Sequence, residues 1–202
     1  MLGKTHLAVG TAVTMAVLKP GTLPELLIGT GAAAVGAVIS DIDVETSGSG
    51  RAADRIIGIS AAAVALVAGL EYFWKVGVWD ILRSNSSWMR IIIGSLAFIG
   101  VCAFGKMQPH RSFMHSFLAL GILSVIMGTI LPLAVPYFAA AFLSHLATDI
   151  FNFKKVQLFY PLQGGVCLRM FHASGLVNGI LFAAGTVAAA AEIGLRVWNI
   201  IR

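Results

Sequence analysis

The stretch Phe142-Leu143-Ser144-His145-Leu146-Ala147-Thr148-Asp149-Ile150-Phe151-Asn152 places an imidazole and a carboxylate four residues apart in a chain otherwise almost free of polar groups. On a helix, positions four apart share one face. Polar side chains are costly in apolar surroundings unless they are paired or put to use. One neutral imidazole and one carboxylate on a single face make half of a transition-metal site. A second polar stretch, Pro109-His110-Arg111-Ser112-Phe113-Met114-His115-Ser116, carries two more imidazoles.

The surroundings of these stretches set the class of protein. Of 202 residues, 58% are hydrophobic and 11% charged, and the mean hydropathy is +0.88. Soluble domains carry about 25% charged residues. The expectation is one integral-membrane domain, residues 1–202, made of apolar helices and short polar loops. The 14 Lys and Arg outnumber the 9 Asp and Glu. That balance suits loops that meet anionic lipid headgroups or an anionic substrate. No basic run with interleaved aromatics points to nucleic acid. Cys102 and Cys167 make neither a disulfide framework nor a metal motif. The first 18 residues imitate a signal peptide, but Lys19-Pro20-Gly21 lacks a small-residue cleavage pattern, so they read as a helix.

Apolar runs and breakers predict seven helices, at about residues 6–18, 24–40, 56–74, 89–105, 113–131, 137–151 and 175–200. Residues 75–90 read as a polar loop. The expected fold is all-α, a multi-spanning transmembrane bundle of about six to seven helices built from antiparallel hairpins. Up-and-down counting brings His6, Asp41, Asp43, His110, His115, His145 and Asp149 to one membrane face. Asp41 follows a helix C-terminus, where the dipole disfavours an anion, which makes a purely structural role less favourable. His172 reads as a solvent-exposed residue of a basic loop. Glu45 and Asp54 read as solvated loop charges, and Glu71, Asp80 and Glu192 as interfacial charges on the other face.

Seven nitrogen and oxygen ligands exceed the four of one zinc site. They suit two divalent ions with a bridging carboxylate, which lower the pKa of a bound water and neutralise charge on a scissile group. Zinc is the first expectation, with manganese or iron as alternatives. Arg111, beside His110 and four before His115, is the candidate to grip an anionic substrate through its planar fork. Two rival readings use the same ligands. A metal transporter or sensor would need a polar path through the helices, and the middles of most helices lack acids. A non-catalytic protein with a structural metal would need only four ligands.

At these residues the chain resembles the YdjM-like, LexA-regulated inner-membrane proteins described as metal-dependent hydrolases. The resemblance is carried by Thr5-His6, Asp41-Ile42-Asp43, the 110–116 stretch and Ser144–Asn152. The family pattern has Pro where this chain has Ser40, and Gly and Thr where it has Ser112 and Met114. That family is distantly similar to zinc-dependent phospholipase C and to nucleases of the P1 type. The resemblance implies an inner-membrane, multi-pass hydrolase that acts on a phosphoester through a metal-activated water. The substrate expected is a lipid, a lipid-linked molecule or another small phosphoester, and the partners are membrane lipids. Positive charge is split eight to six in favour of the site face, which votes for a cytoplasmic site.

Overall fold

The computed structural model describes residues 1–43, 58, 65–173 and 175–202. Glu45, Arg51, Asp54, Arg55 and most of the first half of the expected third helix lie outside these residues. Among the described residues there is no β-strand, and the architecture is helical throughout.

Helix α1, Gly3–Leu18, ends where Lys19 turns left-handed (φ 51°) just before Pro20. Helix α2, Leu23–Val38, starts on a capping Thr22, whose hydroxyl accepts the Glu25 N–H at 3.3 Å. It runs on into a tight helical turn, Ile39–Asp43, which carries both acids of the Asp41-Ile42-Asp43 motif. Helix α3 is Ala65–Trp74. Helix α4, Val78–Asn85, lies within the stretch expected to be a polar loop. Its first turn is capped from a distance. The Glu71 carboxylate accepts the Gly77 N–H at 3.0 Å and the Val78 N–H at 2.9 Å. Glu71 is therefore a buried cap rather than an interfacial charge.

Helix α5, Trp88–Lys106, is followed by a second tight turn, Phe113–His115, and then by α6, Phe117–Ile130. The expected 113–131 helix thus begins late. Ser116 is extended (φ −122°, ψ 159°), and its hydroxyl accepts the Ala119 N–H at 3.1 Å, so it caps α6 and separates it from the turn that carries His115. Helix α7, Val135–Ile150, carries His145 and Asp149, and α8, Leu176–Ile201, closes the chain. By length and composition, four helical stretches among the described residues can cross a membrane: Leu23–Asp43, Trp88–Lys106, Pro132–Ile150 and Leu176–Ile201.

Helix α1 packs on α2, α7 and α8, and α2 packs on α7. Met15, Ala33, Ala37, Phe138, Ala141 and Phe142 fill the space between α1, α2 and α7. Small residues set the closest approach. A side chain at Gly36 would run into the Phe138 backbone carbonyl, whereas one at Gly31, on the same helix, would meet nothing within 4 Å among the described residues. Gly36→Ala should therefore lower stability by roughly 1–3 kcal/mol, and Gly31→Ala should leave it unchanged or slightly raised. Melting of both variants in detergent checks this. Equal effects would mean that the α2–α7 contact does not depend on Gly36.

Candidate metal centre

The seven side chains singled out by sequence come from four places in the chain and meet in one cluster. His6 comes from the first turns of α1, Asp41 and Asp43 from the turn after α2, His110 and His115 from the segment before α6, and His145 and Asp149 from α7. Three groups share members: His6, His145 and Asp149; Asp41, His115 and His145; Asp43, His110 and His115. Within each group the ligand atoms lie within 4.8 Å of one another. His6, His115, His145, Asp43 and Asp149 are almost fully buried. The side chains of His110 and Asp41 keep 28% and 19% exposure, so the cluster opens on their side.

The outer contacts decide which nitrogen atoms face inward. His145 Nδ1 lies 2.7 Å from the Ala37 carbonyl. A carbonyl only accepts, so Nδ1 carries the proton and Nε2 turns a lone pair to the centre. The Thr148 hydroxyl lies 3.0 Å from the carbonyls of Ser144 and His145 and 3.0 Å from His6 Nδ1. With its proton on a carbonyl, Thr148 accepts from His6 Nδ1–H. His6 Nε2 then faces the Asp149 carboxylate 3.2 Å away and makes no hydrogen bond among the described residues. The rings of His6 and His145 stack at 3.8 Å.

His115 closes the group. Its Nδ1 is 3.3 Å from Asp43 Oδ2, and its Nε2 is 3.3 Å from His145 Nε2, 3.5 Å from Asp149 Oδ2 and 3.8 Å from Asp41 Oδ1. His110 Nδ1 contacts the other oxygen of Asp43 at 2.7 Å. Lone pairs and carboxylates that face each other in a dry interior repel unless a cation lies among them. Two imidazole nitrogens bound to one tetrahedral zinc at about 2.0–2.1 Å stand about 3.3–3.4 Å apart. The residues present fit a divalent cation.

Without a metal, the relief available is a proton. His115 lies outside the membrane-crossing stretches. Burial pushes its imidazole down, but its hydrogen bonds to Asp149 and Asp43 and the charges of Asp43 and Asp41 outweigh that and raise it to about 9.

Arg111 stands in the same cluster, but its guanidinium is engaged. Nη2 meets Asp149 Oδ2 at 3.0 Å, and Nη1 donates to the Lys154 carbonyl at 2.8 Å. Its backbone N–H donates to Asp43 Oδ2 at 3.1 Å, with φ at 66°. Nε is buried with no partner among the described residues. His172 is exposed and stacks on Phe153 at 4.4 Å, away from the cluster. Sequence reasoning missed the supporting contacts. These are Thr148, the Ala37 carbonyl, Asn152, whose amide donates to Asp149 Oδ1 at 2.8 Å, and the Met1 amino group, 2.6 Å from the same oxygen. The Asp149-to-Asn152 spacing was visible, but a carbonyl acceptor leaves no trace in sequence.

The family described as YdjM inner membrane protein matches residues 1–201, which is nearly the whole chain. The chain belongs to that family. No curated protein and no solved structure matches it. Family and apolar helices together make it a multi-pass protein of the inner membrane, in contact with lipid. The buried His and Asp groups of this family member could hold a metal ion.

Two predictions follow from the cluster. His145→Ala and Asp149→Ala should each lower metal affinity at least about tenfold and leave membrane insertion intact, because both side chains act on the same inward face. Zinc titration of the detergent-purified variants checks it, and wild-type affinity in either variant removes that residue from the site. The second concerns pH. A metal must displace the His115 proton, so affinity should rise about tenfold per pH unit up to about pH 9 and then level off. In the metal-free protein the sign is opposite. A pKa raised above 6.5 stabilises the fold fully below pH 6.5, and that contribution is lost as pH rises through about 9. A zinc affinity that is flat between about pH 7 and 9 would contradict the protonated His115.

Proposed function

We propose that this protein is a membrane-bound, metal-dependent phosphoesterase, a single domain of antiparallel helical hairpins with its metal site at one membrane face. The observation that carries the reading is the surplus of ligands. Three overlapping His/Asp groups offer more than one closed four-ligand site uses, and a catalytic site keeps a position open. His6, Asp41, Asp43, His110, His115, His145 and Asp149 would hold one or two divalent ions, with zinc as the first candidate. Held there, such ions supply an activated water and neutralise developing charge on the phosphoryl group.

The chain's own residues do the rest. Arg111 Nη2, Asn152 and the Met1 amino group crowd the Asp149 carboxylate with donors and fix its orientation. The Ala37 carbonyl and Thr148 hold His145 and His6 with their lone pairs inward. Substrate enters from the side of His110 and Asp41, where the cluster is open. Arg111 still has its Nε–H to offer to a phosphoryl oxygen while its two terminal nitrogens stay anchored. The membrane-crossing stretches that carry the site present it to lipid or lipid-linked phosphoesters.

Arg111→Lys should keep its metal and fold but lose roughly 10–100-fold in kcat/KM, about 1.4–2.7 kcal/mol of transition-state binding, because one ammonium cannot stay anchored on both Asp149 and the Lys154 carbonyl and still offer a separate N–H to the phosphoryl group. Arg111→Ala should lose more. Turnover of a panel of lipid and soluble phosphoesters by metal-loaded protein is the assay. Near wild-type turnover by the Lys variant would take Arg111 out of substrate binding, and no turnover of any phosphoester by the wild type would overturn the assignment.

A further inference from the structure

Helix α8 carries none of the seven ligand-type side chains, yet it is fastened to the helix that carries His6. Of its 26 residues only Asn178 and Gly185 are buried, and both meet α1. A side chain added at Gly185 would come within 3.0 Å of the Val9 backbone nitrogen, so the two helices approach backbone to backbone there. Between these contacts, Lys4 Nζ lies 4.7 Å from the centre of the Phe182 ring. Asn178, Phe182 and Gly185 are spaced by four and three residues, which puts them on one stripe of α8.

Asn178 is the polar member of that stripe. It is 4% exposed on a helix whose other residues are mostly open to the surroundings, where an unmet amide is costly. Its Oδ1 accepts the Leu2 N–H at 3.2 Å. Leu2 is the cap position of α1, and its own side chain makes no capping hydrogen bond. Asn178 therefore caps α1 from a neighbouring helix. The Leu2 carbonyl in turn accepts the Thr5 N–H at 2.8 Å and the His6 N–H at 3.2 Å. A single residue thus joins Asn178 to the His6 backbone. Thr148 orients the ring of His6 through Nδ1, and Asn178 fixes the backbone that carries the ring.

We propose that Asn178 is a positioning residue of the metal centre. From α8 it pins the start of α1 and so sets His6 Nε2 against the Asp149 carboxylate. The claim rests on the reading of the cluster as a metal site and adds to that site a helix with no ligand of its own. Ligands must be held within about 0.5 Å of their working geometry, and neighbours that hold them are worth roughly 10–100-fold in metal affinity.

The test is the zinc affinity of detergent-purified full-length protein, read by competition with a chromophoric chelator, together with the visible spectrum of the cobalt-loaded protein. Asn178→Leu removes the acceptor and keeps an apolar side chain against α1. It should weaken zinc binding about tenfold and shift the cobalt bands. In a His6→Ala background the same substitution should cost nothing further, because Asn178 acts through His6. Should Asn178→Leu fail to insert, Asn178→Ala removes the same acceptor with a smaller side chain. A purely structural anchor would lower the melting temperature and leave affinity and spectrum unchanged. That result, or a tenfold loss repeated in full in the His6→Ala background, overturns the positioning role and leaves the metal reading standing. Wild type that binds no zinc overturns both.

Discussion

The structure depends on a demand for positive charge. Three inward imidazole nitrogens and three carboxylates, from His6, His115, His145, Asp41, Asp43 and Asp149, face one another within an apolar helical bundle. Water cannot screen most of these groups, so their mutual repulsion must be met by cations. The chain supplies some of that charge itself, through Arg111 and the Met1 amino group on Asp149, and through a proton on His115. A divalent cation held there would meet the remainder, since the nitrogen and oxygen atoms of each group lie within 4.8 Å of one another. The tautomers of His6 and His145 are fixed from outside by Thr148 and the Ala37 carbonyl, so the lone pairs stay inward whatever occupies the centre.

Holding such a cluster requires helices that come unusually close. The approach of α2 to α7 at Gly36 and Phe138 brings the turn that carries Asp41 and Asp43 alongside His145. The packing of α1 against both places His6 over the same imidazole. The last contributor is not a helix. The segment from Phe151 to Ala173 closes the cluster on the side of Arg111, pinned by backbone hydrogen bonds from Gln157 to Arg111 and from Leu168 to Ile150. The basic segment is thus built directly onto the polar centre.

Much of this was legible in the sequence, because polar residues stand out in an apolar chain. Helical spacing paired His145 with Asp149, and the expectation that all seven ligand-type side chains converge is met by the three overlapping groups they form. Helix α4 was not legible. Its pattern is short and polar, and its cap comes from Glu71, which local sequence reads as a solvated charge. The start of α6 was misplaced for a similar reason. Ser116 acts as a cap only once His115 is drawn into its own turn by Asp43. Arg111 was recognised as part of the site, but its engagement with Asp149 and the Lys154 carbonyl depends on a fold of the 151–173 segment that no periodicity announces.

The most direct test of the account is the metal content of the protein itself. Elemental analysis of detergent-purified wild type, loaded with zinc or manganese and then freed of excess metal, should find one to two ions per chain. The His115→Ala, His145→Ala double variant, still inserted and monodisperse, should hold none. Wild-type protein that retains no transition metal after loading would contradict the claim that this cluster exists to bind one.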